Sequence, residues 1–237
     1  MICLLAVCAP PVRADLVVNF DNCSTSVVSS VLDSTVTGEL MAGMNVSVIF
    51  DGGTATDSDV WSATGVGSGE ATSNSVAGWS LTQSGGTFFS SWTLSNNTGL
   101  PISGLIIDAG VGGIAFDIGL PPLGFGTGTV NSSLGRTFNA GASDDGLSGT
   151  ATYSNQIAIA ANGGSPVGDL YGALALNFTN DGGLLPGATL TFRADTDRLG
   201  GPVAVPEPSS WMALAGLGLL GAIMFRRRRL PMRLATC

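Results

Sequence analysis

Apolar and polar residues alternate with a period of two along several segments of this 237-residue chain. In the run 44–50 the even positions are all apolar, and similar alternation recurs over 88–95, 170–178 and 189–193. Such alternation is typical of β-strands that bury one face and leave the other in water. The chain is therefore predicted to fold mainly as β-sheet.

Glycine-rich turn signals separate the predicted strands, for example Ser84-Gly85-Gly86 and Asp181-Gly182-Gly183. The 35 glycines and 11 prolines also disfavour helix. Before Trp211 only Val27–Leu40 leaves room for a short helix. We therefore predict one all-β domain over residues 15–198, a β-sandwich or jelly roll. Further predicted strands are 16–20, 78–83, 102–107, 114–118 and 150–160.

The chain contains no histidine and no lysine, and only 11% of its residues are charged. These absences exclude histidine-based triads, histidine metal sites and Schiff-base lysines. A net charge of −8 argues against nucleic acid as a partner. We predict that the protein is not an enzyme. A pair of carboxylates could still serve a glycosidase, and this alternative stays open.

The N-terminal residues 1–9 are almost wholly apolar, and small residues follow at Val12 and Ala14. This pattern predicts a secretory signal peptide over residues 1–14, with cleavage between Ala14 and Asp15. No basic residue precedes the apolar run, so we expect the natural start to lie upstream of Met1. The alternative is a buried N-terminal strand.

The C-terminal region has three parts in a fixed order. A linker over residues 199–205 leads to the motif Pro206-Glu207-Pro208, and Trp211–Phe225 then run without a charge. A block of four arginines follows at once, consisting of Arg226, Arg227, Arg228 and Arg229, ahead of a trailing tail over residues 230–237. Fifteen apolar residues make a short transmembrane helix of about 22 Å. The arginine block places the C-terminal end of this helix in the cytoplasm.

This tripartite tail, residues 206–229, resembles the PEP-CTERM sorting signal of Gram-negative bacteria. The resemblance implies recognition by exosortase, a membrane protease of transpeptidase type, after export by the secretion machinery. It also implies transient insertion in the inner membrane and then release to the cell surface or extracellular matrix. The alternative is an ordinary single-pass anchor.

Removal of both ends changes the charge and the cysteine content of the exported region. Between Asp15 and Val205 there are three arginines and sixteen acidic residues, a net charge of −13. Such a surface suits cations rather than anionic lipid. Cys23 is the one cysteine left, so no internal disulfide can form.

Acidic residues cluster in two segments, and calcium is the candidate cofactor. Asp51, Asp57 and Asp59 are predicted to lie in one loop, whereas Asp195 and Asp197 follow a predicted strand. Oxygen-rich loops of this kind bind Ca²⁺ through carboxylates and carbonyls. The alternative is a set of acidic turns that only keep the surface soluble.

Trp61 lies beside the first acidic segment and is the tryptophan that we single out for stacking on a sugar ring. Packing in the core or at its rim is the alternative reading of the same residue. Proteins with PEP-CTERM tails commonly occur in bacteria that secrete exopolysaccharide, so the resemblance implies a structural or adhesive role in biofilm. The rival functions are a calcium-dependent carbohydrate-binding module and a carboxylate-based glycosidase.

Overall fold

The structure, a computed structural model, describes ten stretches of the chain. They are residues 12–21, 24–50, 53, 55–73, 78–119, 125–126, 135–143, 146–163, 166–179 and 182–201. The predicted transmembrane segment, the sorting motif, Cys23 and Asp51 lie outside them.

Strands dominate the described residues, and short 3-10 turns lie at Gly38–Met41, Gly110–Gly112 and Ala160–Asn162. The strands are, in chain order, β1 (Val12–Arg13), β2 (Asp15–Phe20), β3 (Ser24–Val28), β4 (Val31–Asp33), β5 (Asn45–Phe50), β6 (Ala55–Val60), β7 (Ser62–Gly65), β8 (Ser68–Thr72), β9 (Trp79–Ser84), β10 (Trp92–Asn96), β11 (Ile102–Asp108), β12 (Ile114–Asp117), β13 (Phe125–Gly126), β14 (Gly135–Arg136), β15 (Asn139–Ser143), β16 (Ser148–Ile159), β17 (Pro166–Phe178), β18 (Thr189–Arg193) and β19 (Thr196–Leu199).

The first sheet has the spatial order β1-β15-β18-β10-β9-β8-β7 and is antiparallel throughout. Strand β10 lies between β9 and β18, with Leu94 opposite Leu81 on one side and Leu190 on the other. The alternate residue Thr93 is opposite Thr82 and Thr191. One face of this sheet is therefore apolar, and the other carries hydroxyl groups.

The second sheet has the order β4-β19-β12-β17-β11-β5-β6. The long strand β16 pairs with β17, and β2 and β3 are added to β16 in parallel. Strands β13 and β14 form a separate two-stranded ribbon. The two main sheets pack face to face as a sandwich, because one core cluster contains buried side chains from both.

Aromatic rings form the centre of this core. Trp92 of the first sheet lies 6.4 Å from Phe116 of the second, measured between ring centroids. Trp92 also stacks on Phe192 at 5.9 Å and contacts Trp61 at 5.3 Å. Its indole Nε1 donates a hydrogen bond to the carbonyl oxygen of Ala194 at 3.0 Å. Trp92 therefore links both sheets to the segment that follows β18.

The all-β prediction is confirmed, and the alternating runs at 44–50 and 189–193 are strands with their apolar faces buried. The helix that Val27–Leu40 left room for is wrong, since this segment contains the end of β3, all of β4 and the start of one 3-10 turn. Leu199, assigned to the linker, is the last residue of β19 and is buried.

Residues 12 and 13 form an edge strand of the first sheet, and Ala14 follows it. Strand β1 pairs with Ala142–Ser143 of β15. Ala14 is 3% exposed, and its N–H donates to the carbonyl oxygen of Gly141 at 3.1 Å. Cleavage between Ala14 and Asp15, which stays a prediction, would remove β1 from the sheet together with the buried Ala14.

Candidate functional site

Three buried carboxylates meet inside the sandwich. Asp117, Asp195 and Asp197 each offer a carboxylate oxygen, and these oxygens all lie within 4.8 Å of one another. The residues are 1%, 1% and 0% exposed. We call these residues the aspartate cluster. Three acids in so small a buried volume are costly unless a proton or a cation compensates their charge.

The sheet topology brings the cluster together. Asp195 lies in the two-residue connection between β18 of the first sheet and β19 of the second. Strand β19 pairs with β12, which places Asp197 opposite Ala115. Asp117 ends β12, and its N–H donates to the carbonyl oxygen of Asp195 at 3.1 Å. The cluster therefore marks the place where the chain crosses between the two sheets.

One oxygen of Asp195 is fully engaged and the other is not. Its Oδ1 accepts hydrogen bonds from the Thr87 hydroxyl at 2.8 Å and from the Thr196 N–H at 2.9 Å. Its Oδ2 is buried and has no hydrogen-bond partner among the residues that the structure describes. A buried carboxylate oxygen without a donor indicates a missing ligand or proton.

The electrostatics of the cluster follow from its burial. Burial raises the pKa of the Asp195 carboxyl to about 7, against the opposing effects of the Thr87 hydroxyl, the Thr196 N–H and the positive charge of Arg136. Burial also raises the pKa of the Tyr153 hydroxyl, and the nearby Asp195 and Asp117 raise it further. The Arg136 guanidinium itself donates to the carbonyl oxygen of Phe88 at 2.7 Å.

Two glycines allow the backbone to approach Asp117 closely. The Gly119 N–H donates to Asp117 Oδ1 at 3.3 Å, and Gly119 has a φ of 61°. A Cβ atom on Gly135 would collide with the same carboxylate oxygen and with the Gly119 nitrogen. Glycine is therefore required at position 135 for the carboxylate to keep its place.

The predicted calcium residues separate into two groups. Asp195 and Asp197 meet in the cluster, but sequence reasoning missed Asp117, whose signal was a single carboxylate at the end of an apolar strand. Asp57 and Asp59 lie on strand β6 rather than in a loop. Asp57 Oδ2 accepts from Trp79 Nε1, and Asp59 Oδ2 accepts from the Thr72 N–H, both at 2.9 Å.

Trp61, the tryptophan singled out for sugar binding, is buried in the core. Trp61 is 1% exposed, and its Nε1 donates to the carbonyl oxygen of Gly38 at 2.7 Å. Trp79 and Trp92 are also buried. In this structure the Trp61 ring presents no face to solvent, and its packing contacts match the core alternative.

An exposed aromatic ring lies elsewhere, in the turn that joins β9 to β10 beside the polar face of the first sheet. A shallow groove of about 470 Å³ is lined there by Glu70, Thr82, Thr93 and Arg193 together with Phe89. The Phe89 side chain is 72% exposed and packs edge-on against Phe88 at 4.8 Å. We call this feature the Phe89 groove. Its hydroxyls and charges can hydrogen-bond a polar ligand, and its exposed ring offers an apolar face.

Comparison with known protein families gives a match in the C-terminal tail. The family model of the PEP-CTERM protein-sorting motif matches residues 204–229. No curated protein matches the chain, and no solved structure does. No helix in the described part of the chain is long and apolar enough to cross a membrane.

The matched range contains every residue on which the resemblance was based, from Pro206 to Arg229. The motif implies export, a membrane-anchored tail before processing, and processing by exosortase. The last described residue is Gly201, and the match begins at residue 204. The chain is therefore an exported protein that carries a PEP-CTERM protein-sorting motif as its C-terminal signal.

Proposed function

We propose that the exported domain is a non-enzymatic, adhesive component of the cell surface or extracellular matrix, and that it binds the exopolysaccharide of its own host. The observation that carries the proposal is the outer face of the first sheet. It combines the Phe89 groove with rows of hydroxyl groups, on a protein whose sorting motif directs it out of the cell.

The hydroxyl rows follow from strand register. Thr93 lies opposite Thr82 and Thr191, and Ser95 lies opposite Ser80 and Thr189. These six residues belong to β9, β10 and β18, so the two rows run across three neighbouring strands. The Thr191 hydroxyl already hydrogen-bonds the Ala142 backbone. The hydroxyls of Thr82 and Thr93 line the Phe89 groove and can exchange hydrogen bonds to water for bonds to a hydrated polysaccharide at little net cost.

The arrangement of acidic residues favours this role over a glycosidase. A glycosidase needs two carboxylates on opposite sides of a bond in a cleft that substrate can enter. Among the described residues, the group of three carboxylates that meet, the aspartate cluster, is at most 1% exposed. Glu70 is the one carboxylate among the residues that line the Phe89 groove, whereas a glycosidase needs two.

Co-sedimentation of the full-length chain with purified exopolysaccharide from the host tests the proposal. We expect the wild-type protein to sediment with the polymer and to release no reducing ends. Phe89→Ala should weaken binding about tenfold or more, because burying a phenylalanine side chain contributes about 1.5–3 kcal/mol.

Val111→Ala is the matched control, since Val111 is an exposed apolar residue outside this sheet. It should bind as the wild-type protein does. Release of reducing ends would make the protein an enzyme. Absence of sedimentation, or equal binding by Phe89→Ala, would contradict the adhesive groove.

A further inference from the structure

We propose that Asp117, Asp195 and Asp197 hold a Ca²⁺ ion at the crossing between the two sheets. The site differs from the acidic segment around Asp57 and Asp59, whose carboxylates accept hydrogen bonds from Trp79 and Thr72. It is also independent of the Phe89 groove, so either proposal can fail without the other.

The geometry of the cluster is that of a cation site. Three carboxylates converge within 4.8 Å at almost complete burial. The two donors that reach Asp195 both bind Oδ1, which leaves Oδ2 as an acceptor with no donor among the described residues. A cation bound to Oδ2 would satisfy this oxygen and neutralise part of the charge at the same time.

The ligand chemistry selects calcium among the common cations. All three ligands are carboxylates, and the chain has no histidine, so the nitrogen and sulfur ligands that zinc and copper prefer are missing from this cluster. Magnesium keeps several of its waters and dehydrates reluctantly, whereas calcium accepts dry, irregular cages of six to eight oxygens. The buried position of the cluster therefore favours Ca²⁺ over Mg²⁺.

The position of the site predicts what the ion does. Asp195 follows directly on a strand of the first sheet, whereas Asp117 and Asp197 belong to strands of the second. An ion shared by all three would fasten the sheets together where the chain passes between them. Its role is to stabilise the fold, because a site at most 1% exposed cannot contact a sugar.

Calcium titration of the chelator-treated full-length chain tests the proposal, by calorimetry and by thermal unfolding. Binding should raise the Tm by about 5–10 °C at a calcium concentration near 100 times the Kd. Magnesium at the same concentration should raise it less. No calcium binding, or equal effects of both ions, would overturn the proposal.

Asp195→Asn distinguishes calcium binding at the cluster from non-specific attraction of calcium to the negatively charged protein. The amide oxygen can keep the hydrogen bonds from Thr87 and Thr196, while the amide nitrogen replaces Oδ2 and repels a cation. We expect calcium affinity to fall about tenfold or more. The Tm in chelator should not fall below that of the wild-type protein, because one of three like charges is gone.

Asp59→Asn is the matched control, since it removes the same charge outside the cluster. It should leave the calcium response unchanged. Loss of the response in Asp59→Asn but not in Asp195→Asn would refute the site. If Asp195→Asn fails to fold, Asp197→Asn takes its place and should lose calcium affinity in the same way. The wild-type protein, compared in calcium and in chelator, tests the stabilisation without any substitution.

Discussion

Replacing Pro206, Glu207 and Pro208 together with alanine should abolish the delivery to the cell surface that we propose for this protein. These residues are the motif that precedes the predicted membrane segment, and they lie within the family match. Without them exosortase has no recognition sequence, so the chain should stay in the inner membrane with its tail attached. Fractionation of host cells, combined with protease treatment of intact cells, measures this distribution.

Val203→Ala is the control for the sorting variant. It changes a residue just before the matched range and should leave surface delivery at the wild-type level. Replacing the four arginines 226–229 with serine should also reduce delivery, since these charges fix the orientation of the membrane segment. Normal surface exposure of the alanine variant would mean that the tail acts as a plain anchor.

Trp92→Ala should lower the free energy of unfolding by about 3–5 kcal/mol, the usual cost of removing a large buried aromatic side chain. Trp92 is fully buried and packs between Trp61, Phe116 and Phe192. The substitution leaves a cavity at the contact between the sheets. It also removes the indole N–H that donates a hydrogen bond to the Ala194 carbonyl oxygen. Since folded domains have only about 5–15 kcal/mol of stability, the loss is severe. Urea unfolding of the full-length chain measures it.

Phe89→Ala provides the comparison for Trp92→Ala. Its side chain is 72% exposed, so its truncation should change the free energy of unfolding by less than about 0.5 kcal/mol. A stability loss in Phe89→Ala as large as that in Trp92→Ala would contradict the placement of these two rings. The same variant therefore serves as a stability control and as the test of the groove.

Strand content could be predicted from the sequence because alternation is a local signal. The run from Met44 to Phe50 has its even positions buried, as the pattern requires. The prediction of a short helix over Val27–Leu40 was wrong because the apolar residues there are irregularly spaced. The strands of this segment are determined by pairing with strands distant in the sequence. Strand β3 adds in parallel to β16, and β4 pairs with β19. Such long-range pairing leaves no periodic mark in the segment itself.

The aspartate cluster could be predicted only in part. Asp195 and Asp197 drew attention because they are close together after a strand. Asp117 is about eighty positions earlier in the chain and joins them only through the pairing of β12 with β19. Trp61 and Phe89 show the same limit, because sequence gives their aromatic character but not which ring faces solvent. Burial of the one and exposure of the other follow from the sheet packing.

Intact-mass spectrometry of the mature protein, purified from its native host, tests the central claim most directly. The claim is that the chain is exported and then processed at its PEP-CTERM tail. We expect the measured mass to lack the contribution of the residues from Trp211 onward. A group that exosortase joins to the new C-terminus would add its own mass to this value. A mature surface protein that still contains residues 211–237, including the arginine block, would contradict processing by exosortase.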